Sequence, residues 1–489
     1  MSPHLSSPSV CSRASTTGIK FNVHLLHFGT FYSYINISSS SCNFNNCKSG
    51  LKNRLSTVLE VVDRHGPCAQ TDLKQTFTVP SLAQILVNDQ LRVKSIQARA
   101  VKPDPTHTNK KLHKSQNRNK SRDKNAKLPT HSGEPLDTSN YFVTIGLGTP
   151  KRRLSLVFDT GSDITWTQCL PCAHCYKQND SIFNPSASST YSKISCKSKQ
   201  CNYTFGTSCY RDDTCFYDIY YNDGSESFGF LSRDKLTITP TDVFPDFLFG
   251  CSRTSTGMFG KVDGLLGLSK SPISFVYQTA KMYGLHFSYC LPSDISSTGF
   301  LAFGKNRKTS NKDDTVIFTP LVAGISPDIL PIYYFIEIIA ISIGGTRLPI
   351  SGSVFKTAPT IIDSGTVVTR LPPAAYNATS KEFKKQMNAL NYKSAPADYY
   401  LDTCFHISGH TNITKVPTMS FTFKGNAKVD LDPSGIIKVV SSKVMCLAFA
   451  GNSHPDDVAI FGNFQQRKLE VMYDVAGEKL GFRHNSFCQ

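Results

Sequence analysis

Two stretches decide the reading: LVFDTGSDITW at Leu156–Trp166 and TIIDSGTVVTRL at Thr360–Leu371. Each is an apolar run that ends in an acid, then Thr or Ser, then Gly. Such a run, closed by turn residues, predicts a buried strand. A carboxylate at the end of a buried strand is costly unless it is hydrogen-bonded or shares a proton. Gly two residues later permits a sharp turn and a close backbone approach. One such loop is an ordinary capped turn. Two of them, about two hundred residues apart, predict that Asp159 and Asp363 face each other. Paired carboxylates cannot both ionise easily, so one pKa rises and the pair holds one proton. The ionised member can then polarise a water while the protonated member hydrogen-bonds a carbonyl. This chemistry calls for no metal and no cofactor.

From Tyr141 onward the texture is β. Short apolar or alternating runs recur, among them YFVTIGLG, CFYDIYYNDG, YYFIEIIAISIGG and LEVMYDV, punctuated by Gly, Pro, Asn and Asp. Few segments beyond Ala374–Leu390 and Ile273–Met282 read as helix. The expectation is an all-β body of about 350 residues in two similar halves. The echo of the two Asp loops is the sign of duplication.

The net charge of +17 is unevenly spread. Residues 91–140 carry 12 basic and 4 acidic side chains, nearly half of the excess in a tenth of the chain. Within them, 102–131 is polar, basic and poor in large apolar residues, which predicts a disordered linker. Its functional alternative is a nucleic-acid contact through counterion displacement. No aromatics interleave with the charges, so base stacking has no support. Residues 1–59 lack Asp and Glu and are rich in Ser and Thr, a transit-like composition. Residues 60–100 read as a small helical unit, with Leu82, Ile85, Leu86, Val93 and Ile96 at roughly helical spacing. No run of 18 apolar residues occurs, so no membrane-spanning helix is expected.

Of sixteen cysteines, twelve lie between Cys169 and Cys488. CLPCAHC, with Cys169, Cys172 and Cys175, has metal-like spacing. His174 is the only nearby His, and no second CxxC follows, so disulfides are favoured over zinc. Disulfides imply an oxidising compartment.

Together these residues resemble the pepsin-like aspartic proteases, specifically the plant nepenthesin-type group, over about Tyr141–Cys488. Asp159-Thr160-Gly161-Ser162 and Asp363-Ser364-Gly365-Thr366 match its two active-site loops. YNDGS (Tyr221–Ser225) matches its flap, with Asn222 where Gly is usual. The resemblance implies a bilobal fold with a cleft between two β lobes, and makes Asp159 and Asp363 catalytic. It implies that Thr160 and Ser364 brace the loops and that Ser162 and Thr366 hydrogen-bond the acids. Tyr221, Asp223 and Gly224 would close over substrate, with Tyr221 hydrogen-bonded to Trp166. VDGLLGL (Val262–Leu268) and AIFGNF (Ala459–Phe464) resemble the strands that run beside each Asp. The implied disulfides are Cys169–Cys172, Cys175–Cys251, Cys196–Cys215, Cys201–Cys209, Cys290–Cys488 and Cys404–Cys446.

VVDRHGPC (Val61–Cys68) and Leu86–Arg99 resemble the pro-segment of a plant subgroup that includes proteases described as chloroplast nucleoid DNA-binding. The expected layout is therefore a targeting segment (1–59), a pro-segment with its basic linker (60–135), an N-terminal lobe with a cysteine-rich insertion (136–325) and a C-terminal lobe (326–489). The mature chain would start near Lys127–Tyr141. The expected activity is a monomeric acid endopeptidase acting on protein and peptide substrates. The competing expectations are an inhibitor-like binding protein on the same fold, and accessory DNA binding through 102–131. The disulfides favour the secretory route, to the cell exterior or vacuole, and the N-terminal composition favours the chloroplast. Sequons at Asn179, Asn202, Asn377 and Asn412 are candidate glycan sites.

Overall fold

The strand Arg152–Asp159 begins exposed and becomes fully buried over its last six residues, which is why it reads as a nearly continuous apolar run. It pairs antiparallel with Tyr141–Leu147 and parallel with Gly264–Gly267, whose Gly267 stands opposite Asp159. The second half repeats the arrangement. Thr360–Ile362 pairs parallel with Ala459–Phe461, register Ile362 to Phe461, and leads into Asp363. Each acid thus leaves a buried strand beside an apolar strand from later in its own half. The computed structural model describes residues 32–36, 82–101, 124–132, 138–203, 206–209, 212–221, 225–257, 259–293, 297–305, 316–324, 332–357, 359–398, 400–407 and 413–484.

The two halves meet in a shared layer. Ile317–Pro320, Lys479–His484, Leu469–Asp474, His286–Cys290, Gly299–Phe303 and Ala126–Ser132 hydrogen-bond in that order. Strands from both ends of the chain therefore form one floor beneath the two Asp loops. The C-terminal half adds three smaller sheets. Helix Pro373–Ala389 covers them with Ala375, Tyr376, Thr379, Ser380, Phe383 and Met387, a stripe at helical spacing. Pro373 sits at its first position, where the missing N–H costs nothing. Tyr376 lies so close to Gly451 that a Cβ there would come within 2.9 Å of its ring. The expected helix Ile273–Met282 is instead two short pieces, Phe275–Gln278 and Ala280–Tyr283, joined at Thr279.

The expected linker ends earlier than its composition implies. Residues 102–123 lie outside the described set, but Ala126–Ser132 is a strand paired with Gly299–Phe303. Leu128 and Thr130 are fully buried, and the Lys127 ammonium lies 3.6 Å from the centre of the Phe300 ring. His131 stacks on Phe142, and burial, with Arg153 nearby, lowers its pKa to about 3. It is therefore neutral and sequestered. A chain cut after Lys127 would lose the start of this strand. Further upstream, Tyr32–Asn36 lies in the expected targeting segment but pairs as a strand with Ile413–Pro417. Its aromatic and β-branched residues suit a strand.

The cysteine pairing also differs from the expectation. Thr167 stands beside Cys251 in a parallel register, and the Cys169 N–H donates to Ser252 O. Cys169 therefore bonds Cys251, with Cα atoms 5.4 Å apart, and Cys172 bonds Cys175. The pairs Cys169–Cys172 and Cys175–Cys251 do not form. Likewise Cys196 bonds Cys209 and Cys201 bonds Cys215, in place of Cys196–Cys215 and Cys201–Cys209. The hairpin sets Cys209 directly opposite Cys215, and each is claimed by a different residue of the preceding loop. Cys404–Cys446 forms as expected across paired strands. Cys290 is disulfide-bonded, and Cys488 lies outside the described residues.

Truncating Leu128 to Ala in the full chain should lower unfolding free energy by about 2–5 kcal/mol, as for other buried Leu to Ala changes. Urea denaturation measures this. An unchanged midpoint would put the strand outside the cooperative fold.

Candidate active site

The two Asp loops cross-brace each other. The Thr160 N–H donates to Ser364 Oγ at 3.1 Å, and the Ser364 N–H donates to Thr160 Oγ1 at 2.9 Å. Ser364 Oγ in turn donates to Phe158 O. Each short hydroxyl side chain thus serves the backbone of the opposite loop. Within a loop the pattern also repeats. The Gly161 N–H donates to Asp159 Oδ1 at 2.9 Å, and the Gly365 N–H to Asp363 Oδ1 at 3.0 Å. Ser162 Oγ donates to Asp159 Oδ2, and Thr366 Oγ1 to Asp363 Oδ2 at 2.6 Å. A Cβ on Gly161 would lie 3.0 Å from Asp363 Oδ1, and one on Gly365 would lie 2.5 Å from Asp159 Oδ1. Each glycine is therefore backed against the other loop's carboxylate. Both acids are fully buried.

A cation sits between them. Arg92, on helix α1 (Leu82–Val101), donates from Nη2 to Asp159 Oδ1 at 2.7 Å and to Asp363 Oδ2 at 2.9 Å. Its Nε also reaches Asp363 Oδ2 at 3.3 Å. Helix α1 is anchored at both ends by apolar contacts. Ile85 and Leu86 join Val367, Val368 and Phe464, while Val93 and Ile96 join Tyr333, Phe335 and Ile460. One turn before Arg92, Asp89 accepts from the Val367 and Val368 N–H groups and from Arg370 Nη2.

Charge and burial compete at these groups. Burial pushes the Asp159 carboxyl up and the Asp363 charge adds to this. Arg92 and Ser162 oppose it, and the net value lies above the usual 3.8. Burial also raises Asp363, but Arg92, Thr366 and the Gly365 N–H outweigh it and leave it below 3.8. Burial lowers the Arg92 pKa, yet the two carboxylates more than offset this and hold it above the ordinary guanidinium value, a permanent cation.

On the far side of the cleft Trp166 Nε1 donates to Tyr221 Oη at 3.2 Å. Phe259 packs edge-on against both rings, at 4.9 and 5.5 Å between centroids. The Tyr221 N–H donates to Ser225 O, closing the tip. Asn222, Asp223 and Gly224 lie outside the described residues. Beside α1 the open part of the cleft is lined by Ser139, Asn140, Val157, Tyr221, Phe259 and Leu265. Cys169, Cys172 and Cys175 are consumed by disulfides.

Several contributors escaped the motif reading. Gln466 Nε2 donates to Asp363 O and Phe461 O, and Asn463 Nδ2 donates to Ser364 O. Asn463 lies within AIFGNF and Gln466 two residues beyond it, so that motif was their signal. Arg92, Asp89 and Arg370 carried none beyond the helical pattern of α1 and the polar Arg370 inside an apolar run.

Family models described as xylanase inhibitor N-terminal and xylanase inhibitor C-terminal match residues 141–305 and 333–484. An aspartyl protease family protein of Arabidopsis thaliana is 43% identical over 92% of this chain and 90% of its own. Aspartic proteinase nepenthesin-2 of Nepenthes gracilis is 33% identical over 72% of this chain and 78% of its own. The chain belongs to the plant aspartyl protease family. Among solved structures, basic 7S globulin from soybean superposes on the protease with a TM-score of 0.60 at 21% identity, covering 74% of this chain and 95% of its own. Conglutin gamma from lupine seeds gives 0.58 at 22% identity, with the same coverage. These two establish the fold alone. No helix among the described residues of the protease is long and apolar enough to cross a membrane.

Replacing Thr160 by Val would keep the shape but orphan the buried Ser364 N–H. The expected cost is about 1–3 kcal/mol, read as a lowered denaturation midpoint, with Thr160→Ser as the control that retains the hydroxyl.

Proposed function

We propose that the protease is made as a zymogen and that Asp159 and Asp363 are its catalytic dyad in acid hydrolysis of protein substrates. The observation that carries this is Arg92, whose guanidinium occupies the position between two buried, symmetrically held carboxylates. With α1 gone, two acids at that range share one proton, the established behaviour of aspartic proteases. A water between them gives its proton to the ionised member and attacks the peptide carbonyl. The protonated member donates to the carbonyl oxygen, forming a neutral tetrahedral diol. Collapse of the diol moves a proton to the leaving nitrogen and breaks the C–N bond. Tyr221, held by Trp166, covers the substrate, and the extended peptide lies along the cleft by strand-like hydrogen bonds.

The family models bear the description of xylanase inhibitor halves, which keeps a binding role on this fold as the second reading. A binding role needs neither a paired acid nor a cation to cover it, and this chain has both. The five described disulfides support the secretory route. The maturation cut falls within 102–125, ahead of the buried strand at Ala126. The basic residues upstream of that cut leave with α1, so any contact with nucleic acid belongs to the precursor.

Linkage gives the pH response its sign. Arg92 lowers both dyad carboxyls relative to an open cleft, so its docking is favoured at higher pH and lost as pH falls through the lowered Asp363 value, below 3.8. Asp89 is pulled both ways: burial raises its carboxyl above 3.8, while Arg370 and the Val367 and Val368 N–H groups favour the charged form.

The deciding assay is cleavage of acid-denatured globin by the acid-treated full chain across about pH 2 to 8, with and without pepstatin. Acid-optimal, pepstatin-blocked cleavage is expected, and Asp159→Asn or Asp363→Asn should lower kcat at least about a thousandfold. No cleavage after demonstrated removal of the pro-segment would sink the reading. Separately, Arg92→Gln should raise the pH at which the precursor begins conversion to the mature form, followed by gel over time. An unshifted onset would mean that Arg92 does not hold the precursor closed.

A further inference from the structure

Arg370 is 1% exposed, and no step of the proposed hydrolysis uses it. It lies on the strand Thr369–Leu371, seven residues beyond Asp363. Among the described residues its guanidinium makes one hydrogen bond, from Nη2 to Asp89 Oδ2 at 2.9 Å. Among those residues its Nε and Nη1 have no hydrogen-bond partner, and its one ion pair is with Asp89. The guanidinium carbon lies 6.0 Å from the centroid of the Tyr400 ring.

The Asp89 carboxylate therefore fills a three-donor site. Arg370 supplies one donor, and the Val367 and Val368 N–H groups supply two more, at 2.5 and 3.2 Å. Every one of these donors belongs to the enzyme body, and Asp89 belongs to α1. When α1 leaves, a guanidinium and two inward backbone N–H groups lose their only acceptor among the described residues and open onto the cleft. Converging donors of this kind favour whatever anion can take the place of Asp89.

The place of the site says what enters it. Asp89 and Arg92 are three residues apart on one helix, so their side chains leave neighbouring points of one face, about 5–6 Å apart. Asp89, Arg92, Gly365 and Val367 line one cleft with Tyr221. An extended peptide advances about 3.3 Å per residue. A side chain about two residues from the bond being cut therefore reaches the position of Asp89.

We infer that Arg370, with the Val367 and Val368 N–H groups, forms a carboxylate subsite of the mature protease that selects an Asp or Glu side chain near the scissile bond. Asp89 holds that subsite in the precursor as a substrate mimic. Arg370 is a specificity residue here and takes no part in moving protons. The inference rests on the proteolytic reading of the same cleft.

The test uses the acid-matured full chain and a peptide library with blocked ends, assayed at about pH 5, where Glu is largely ionised. Acidic residues should be enriched at one fixed position within about three residues of the cut. For the best such peptide, changing that Glu to Gln should lower kcat/KM about tenfold or more. Arg370→Gln should abolish the Glu-to-Gln ratio, and Arg370→Lys should restore part of it. The wild-type peptide pair needs no variant, so a misfolded Arg370→Gln protein cannot mask the answer. Equal use of Glu and Gln by a wild-type enzyme that digests globin overturns the subsite alone. A preference that appears only when the peptide C-terminus is free also overturns it, because the site then reads chain ends. Failure of the matured wild type to digest globin removes the proteolytic reading and the subsite with it.

Discussion

Two carboxylates buried against each other repel, and the rest of the molecule is organised to hold them there. The holding is done by hydroxyls and backbone. Thr160 and Ser364 each bond the opposite loop, so neither loop can shift without breaking a buried hydrogen bond in the other. Gly161 and Gly365 let the backbones come within contact distance of the facing acids. Beneath them the parallel strands Gly264–Gly267 and Ala459–Phe461 fix where each acid leaves its sheet. What remains is a site with excess negative charge and little water, in which one proton or one cation is needed.

Helix α1 supplies the cation and also a carboxylate. The two charges sit one turn apart and meet opposite charges of the body, Arg92 on the dyad and Asp89 on Arg370. Apolar residues on either side, Ile85 and Leu86 toward one cluster and Val93 and Ile96 toward another, set the register that aligns both pairs. Slippage of the helix by one residue would place neither charge correctly. The cleft thus recognises α1 by a charge pattern as well as by shape.

Much of this was legible in the sequence, for identifiable reasons. The Asp loops repeat a pattern whose chemistry needs an acid, a hydroxyl and a glycine in fixed order, so Asp159, Asp363 and their neighbours were readable one by one. The strands beside them were readable because buried strands are continuous apolar runs. Arg92 was not, since a cation on an amphipathic helix looks like any solvated charge until its distant partners are known. The strand Ala126–Ser132 was hidden by its basic surroundings, because a short strand takes its stability from the strands that flank it, here Gly299–Phe303 and Tyr141–Leu147. Disulfide partners in the cysteine-rich insertion depend on strand register, as Thr167 beside Cys251 and Cys209 opposite Cys215 show, and register is a long-range property.

Arg92 precedes Asp363 by 271 residues. Ribosomes add roughly 5–20 residues per second, so the blocking helix leaves the ribosome some tens of seconds before the second acid exists. The shared floor is later still, because the strands Leu469–Asp474 and Lys479–His484 complete it. At no moment during synthesis is there a finished dyad without a guanidinium already waiting on the same chain. The order of the residues along the chain is thus itself a safeguard, and a rearranged gene that moved α1 behind the body would lose it while keeping every contact.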